Sequence, residues 1–279
     1  MKTVGPRPVL IRDPLVFAEA FGRSRLTEAW SRVWRNGGAA GGDRVSVGEF
    51  AGHVVGRLAD LAHDLERGTY APGPLRRVMV PKRSGGERAL DIPCVRDRVA
   101  QTALAMTLGP MLDREFEESS FAYREGRSVQ QAVRRVSYLR TLGLTHVVDA
   151  DIADFFPSVP HDALMARLAE SMTEGPASLV VSQWLEHWGE NGRGLAQGSP
   201  LSPLLANLYL DRLDEAFAGE GARIVRFADD FLILCRSPGG AGEAQAQAER
   251  LLARAGLALN REKTRVTDFD AGFRFLGHA

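Results

Sequence analysis

The order and type of its apolar patterns predict an α+β fold: a helical, basic first region and an antiparallel sheet backed by helices. Three observations carry this. Helical-period runs dominate before residue 75. Apolar runs of strand type gather after residue 145, around a hairpin signal at 224–235. Charge divides along the same line: residues 1–148 hold 23 Lys and Arg against 16 Asp and Glu, and residues 149–279 hold 12 against 19. A formal net charge of zero therefore conceals +7 followed by −7, which suits a polyanion cradled by one region and a cation site in the other. The 279 residues suffice for a core without disulfide staples. The two cysteines, Cys94 and Cys235, make neither a metal quartet nor a secreted framework, so a reducing cytoplasm is expected. The start MKTVGPRPVL lacks the apolar run of a signal peptide, and no stretch reaches the roughly 20 apolar residues of a membrane span.

The elements follow in order. Leu26, Trp30 and Trp34 predict a helix around 25–35, and the GGAAGG run at 37–42 ends it. Phe50, Val54, Leu58, Leu61 and Leu65 predict one helix over 46–67, with Ser46 and Glu49 at capping-box spacing. Strands at 75–81 and 87–92 flank the Ser84-Gly85-Gly86 turn, and a helix covers 97–108. Residues 145–152 form an apolar strand interrupted by two aspartates. Helices follow at 161–171 and 203–217, and strands at 224–227 and 231–235 flank Ala228-Asp229-Asp230. A helix at 243–255 stops at Gly256, and short strands at 265–269 and 273–276 close the chain. Trp184 and Trp188, at i and i+4, read as helix packing, and His161 after Pro160 as structural.

Asp151 ends one apolar strand, and Asp229 and Asp230 sit in the turn of an apolar hairpin. Carboxylates beside buried strands are costly unless a cation compensates. Three of them at strand ends could hold two hard divalent cations through oxygen and organise a phosphoryl displacement. Asp149 and Asp154 rival Asp151 for one ligand position; alternation puts Asp149 on the same face as Asp151 and so does not choose. Lys82 and Arg88 flank the Ser84-Gly85-Gly86 turn, where a point charge and a planar fork could clamp a triphosphate. Gln197 lies in a Gly/Pro-punctuated loop, Gly194–Pro203, ahead of a long helix.

Seven segments, in order, resemble the reverse transcriptase family, in particular its bacterial group II intron-like branch. They are VPKRSGGERALDIPCVRDRVAQ (80–101), SSFAYREGRS (119–128), VVDADIADFFPSVPH (147–161), GLAQGSPLSPLLANLYL (194–210), RFADDF (226–231), GLALNREKT (256–264) and FRFLG (273–277). The resemblance implies a right-hand polymerase with an N-terminal extension (1–24), fingers with part of the palm (25–145) and a palm ending at the primer grip (146–279). It implies Asp151, Asp229 and Asp230 as catalytic carboxylates and metal ligands, joined by the Ile152 carbonyl, holding two Mg²⁺ ions for which Mn²⁺ can substitute. Lys82, Arg88, Phe156 and Gln197 would meet the incoming dNTP, with Phe156 as the steric gate against a 2′-hydroxyl. Lys263 would protonate the leaving pyrophosphate. Arg124 would touch template or nucleotide, and Phe275, Leu276 and Gly277 would seat the primer end.

The resemblance thus implies an RNA-directed DNA polymerase acting on an RNA template and primer, with no membrane. The alternative is a maturase-type splicing cofactor that binds RNA without catalysis. The usual YADD tetrad reads FADD here, with Phe227 for tyrosine, which removes a hydroxyl but no metal ligand. QGSPLSP disfavours the diversity-generating type, and the segment after the hairpin does not match retrons. Group II intron mobility, CRISPR spacer acquisition from RNA and phage defence remain as settings. Read to Ala279, the chain has no thumb, so a continuation, a partner subunit or an oligomer is expected to supply the clamp.

Overall fold

A computed structural model describes residues 10–81, 86–219 and 221–278. Lys82, expected at the triphosphate, lies outside them. The helices are α1 (Asp13–Phe21), α2 (Arg23–Asn36), α3 (Val47–Ala51), α4 (Val54–Arg67), α5 (Val95–Leu112), α6 (Val129–Thr141), α7 (Phe155–Ser158), α8 (His161–Ser171), α9 (Pro176–Trp188), α10 (Ser202–Ala216) and α11 (Pro238–Arg254). The strands are β1 (Arg76–Pro81), β2 (Glu87–Ile92), β3 (His146–Asp151), β4 (Ala222–Phe227), β5 (Asp230–Cys235) and β6 (Arg265–Asp268).

The residues group into two compact units, one running to Arg114 and resuming over His161–Leu204, the other made of Glu115–Pro160 and the part from Leu205 on. This grouping departs from a linear break at 145/146. α6 packs its Ala132, Val136 and Leu139 onto the sheet core, which draws 115–145 to the second unit. α9 is capped from α1, which draws 161–204 to the first: buried Asp13 accepts from the Ala177 N–H at 2.8 Å and the Ser178 N–H at 2.7 Å.

In the first unit β1 and β2 pair as an antiparallel hairpin, Val80 opposite Arg88. The expected helix over 46–67 is two helices, broken at Gly52-His53; its capping box is present, Glu49 N–H donating to Ser46 Oγ at 3.1 Å and Ser46 N–H to Glu49 Oε2 at 2.8 Å. Trp184 and Trp188 stack at 6.3 Å with 4° between their planes, and Trp30 and Trp34 lie 5.7 Å apart. The Trp184 indole N–H donates to Tyr70 Oη (2.7 Å), which donates to Asp97 Oδ1 (2.6 Å), all buried. Tyr70→Phe therefore strands an indole donor and one carboxylate oxygen together, Asp97 Oδ2 keeping the Gly73 N–H, and should lower unfolding free energy in urea by about 1–3 kcal/mol; an unchanged midpoint would refute the linkage.

In the second unit the four strands lie in the order β4-β5-β3-β6, all antiparallel. β5 is apolar on both faces because both are covered: Leu232 and Leu234 face a cluster with α6, Val147, Val225 and Phe275, while α11 packs against β3 and β5. The expected strand at 273–276 is instead a tight turn closed by Phe275 and His278, with Leu276 at φ 53° and Gly277 at φ 85°, both outside strand geometry.

Candidate active site

β3 and β5 are antiparallel neighbours in a register that sets Asp151 directly opposite Asp230 at the sheet's end. Asp229 sits in the β4–β5 turn, and its carbonyl accepts the Ile152 N–H at 3.3 Å. Asp149, one pleat back from Asp151, faces β6, and its carboxylate is held 3.1 Å from the Arg265 guanidinium. That pairing gives Asp149 a cationic partner of its own, while its charge still acts on Asp230. Asp154 is exposed, at φ 41° ahead of α7, off the strand.

The segment after α11 closes over the end of β3. Ala153 N–H donates to the Ala258 carbonyl (2.9 Å), and Asn260 N–H donates to the Asp151 carbonyl (2.8 Å). Lys263 Nζ then reaches Asp151 Oδ2 at 2.8 Å, with Asn260 Nδ2 at 3.4 Å from the same oxygen. That hydrogen bond raises the Lys263 pKa. Burial, then Asp149, Asp151 and Asp229, push Asp230 up to about 7 against the pull of Lys263. Burial also raises Asp229, with Asp151 adding to it.

Among the described residues no three His, Cys, Asp or Glu side chains converge closely enough to hold an ion as they stand. The donor set nevertheless fits a hard divalent cation. It is oxygen only, its carboxylates repel one another, and one of them already holds an ammonium at contact distance. Asp151, Asp229 and Asp230 are thus brought together, and Lys263 joins them.

The remaining expected residues divide. Phe155 is buried, and Phe156, its ring 5.4 Å away and edge-to-face, stays partly exposed. Arg88 is exposed on β2, and Gln197 is partly exposed in the loop before α10; both belong to the first unit. Gly198 brings that loop against β2, since a Cβ there would lie 2.5 Å from the Asp91 carbonyl oxygen. Two of the expected residues are buried. Arg124 is buried and donates to the Glu117 (2.6 Å) and Ser120 (3.0 Å) carbonyls, so it braces the turn before α6 from inside. Phe275 is a core residue under the sheet, so only the Leu276-Gly277 part of the expected primer grip reaches the surface. Phe227 packs against the same cluster, a reason for a ring without a hydroxyl at that position. Sequence reasoning missed Asn260 and the Asp149–Arg265 pair; NREKT, within the 256–264 segment, held the signal for the first.

Residues 80–279 match the family described as "Reverse transcriptase (RNA-dependent DNA polymerase)". The chain is 28% identical to Protein YkfC of Escherichia coli (strain K12), over 85% of this chain and 74% of that protein. It is 29% identical to the group II intron-encoded protein LtrA of Lactococcus lactis subsp. cremoris, over 57% of this chain but 28% of LtrA. Among solved structures, a chain of a partial Cas6-RT-Cas1–Cas2 complex is similar at TM-score 0.51 and 27% identity, over 86% of this chain and 41% of that one. The chain thus spans most of YkfC and less than half of the other two. Among the described residues no helix is long and apolar enough to cross a membrane.

Proposed function

The chain belongs to the reverse transcriptase family, group II intron-like branch, and from that premise we propose that it extends a primer 3′-OH with dNTPs on an RNA template. The first unit is assigned to the fingers and the second to the palm. The observation that carries this reading is the Asp151–Asp230 register with Asp229 in the adjoining turn. Asp151, Asp229, Asp230 and the Ile152 carbonyl would hold two divalent ions, Mg²⁺ or Mn²⁺, which when bound supply the charge that activates the attacking hydroxyl and steadies the leaving oxygen. The chain's own work is positioning and electrostatics. Lys263 keeps a proton on Nζ beside Asp151, where a leaving pyrophosphate can take it. Arg88, with Lys82, would bind the triphosphate, and Gln197 the nucleotide.

The likeness to LtrA and to the Cas6-RT-Cas1–Cas2 chain supports an intron-encoded setting or one beside Cas1 and Cas2; gene neighbourhood separates them. Primer extension on RNA by the purified chain, with Mg²⁺ and dNTPs, tests the activity. RNA binding with no extension under any divalent ion would transfer the reading to a splicing cofactor.

Sugar choice provides a second test. The Phe156 ring meets Phe155 edge-to-face and is partly exposed. Phe156→Ala should cut the preference for dNTP over rNTP by about 10- to 100-fold. If Phe155→Ala relaxes it and Phe156→Ala does not, the gate is the other ring.

A further inference from the structure

On the opposite face of the palm sheet from Asp151 and Asp230 lies an arginine that the chemistry above does not use. Alternation along β4 turns Arg226 away from the face of Phe227 and Asp230 and toward α10. It is 1% exposed and meets Asp214 of α10, itself 0% exposed. We infer that Arg226 is a positioning residue: its guanidinium holds the Ala228–Asp230 turn by the Ala228 carbonyl and so fixes the two carboxylates from behind. The inference rests on the polymerase reading.

All five N–H donors of the guanidinium are accounted for. Nε donates to Asp214 (2.9 Å to Oδ1), and Nη2 to Asp214 Oδ2 (2.5 Å) and Ser120 Oγ (2.9 Å). Nη1 donates to Asn207 Oδ1 (3.1 Å) and to the Ala228 carbonyl (3.0 Å). Asn207 is oriented in turn by its Nδ2, which donates to the Ala122 carbonyl (2.8 Å). The Arg226 backbone is pinned as well, its N–H on the Ser119 carbonyl (2.9 Å) and its carbonyl under the Phe121 N–H (3.0 Å).

The carboxylate of Asp214 alone would neutralise the charge, so charge balance does not explain Nη1. Its target is the residue that needs holding. Ala228 has φ 61°, a conformation unfavourable for any residue with a Cβ, and such a turn persists where its surroundings over-determine it. The next two residues are Asp229 and Asp230. A planar fork can grip Asp214 and the turn at once; a lysine ammonium on a flexible stem cannot.

The test uses the full chain with Arg226→Lys and Asn207→Ala, the second leaving the pair with Asp214 intact. Arg226→Lys should raise amide exchange at Ala228–Phe231 about tenfold with β3 unchanged. It should lower kcat about 100-fold per active site, as displaced catalytic groups do, with dNTP KM held within about twofold. Asn207→Ala should show the same pattern at about tenfold in kcat, and it decides alone if Arg226→Lys gives no cooperative melt. Wild-type exchange at the turn in the folded variants would overturn the assignment, as would exchange raised evenly across the unit. If the wild-type chain extends no primer, the polymerase reading falls, and exchange still decides what Arg226 holds.

Discussion

Asp230→Asn should abolish primer extension, by roughly three orders of magnitude, while making the metal-free protein more stable above neutral pH. The first effect follows from removing one of three carboxylates that would hold the ions. The second follows from what that carboxylate endures without them. Its pKa rises from 3.8 to about 7 through burial and three aspartate neighbours. Across that window the folded state holds a proton that the unfolded state has released, so stability falls as pH rises from 3.8 to about 7. Asparagine carries no charge at any pH, so the variant loses this slope. Thermal melts in EDTA should show a Tm gain just above neutrality and little change in acid, at about 2–4 °C for each kcal/mol recovered. A variant that extends normally, or that melts lower above neutrality, would refute the assignment of this residue.

Asp214→Ala should be the most damaging single change to the palm unit, costing about 3–5 kcal/mol. The Arg226–Asp214 pair is completely buried, so its attraction is offset by the cost of taking two charges from water. Removing one partner keeps the desolvation cost and discards the compensation. Burial raises the Asp214 pKa and the guanidinium opposes it, which marks the same balance. Replacing both, as Asp214→Leu with Arg226→Met, should recover most of the lost stability, because apolar residues of like volume avoid the penalty. It should not recover extension, since the Ala228 carbonyl is left without its donor. Circular dichroism in urea with paired extension assays reads both; a double variant with normal extension would show that the turn holds itself.

Most elements, and the strand ends that carry Asp151, Asp229 and Asp230, were legible in the sequence because each is a local pattern. Strand runs ending in Asp151 and flanking Asp229-Asp230 read directly as β3, β4 and β5, and α8 spans the expected 161–171. What escaped was non-local or out of phase. Apolar spacing continues across Gly52-His53, so the break between α3 and α4 leaves no trace in periodicity. Phe273 to Leu276 alternates like a strand, yet Leu276 takes positive φ and the segment turns. The Asp214–Arg226 pair joins residues twelve apart on two different elements, and an acid in an amphipathic helix reads as surface. The available signal was Asn207, Asp211 and Asp214, spaced to share one buried face of α10. The brace that Arg124 forms inside its turn was likewise not legible from the motif alone.

The stacked Trp184 and Trp188 and the neighbouring Trp30 and Trp34 are all four of the chain's tryptophans, and all lie in the first unit. Intrinsic indole emission is therefore a reporter for one half of the molecule, and the half that carries the carboxylates contributes none of it. An emission melt of Asp214→Ala would track the wild type even with the palm unit unfolded, while far-ultraviolet dichroism would register the loss. Disagreement between the two probes, the usual sign of a non-two-state transition, would here assign each step to its unit. A tryptophan introduced at Phe269, beside Phe273 at the edge of the palm core, would give that half a signal of its own.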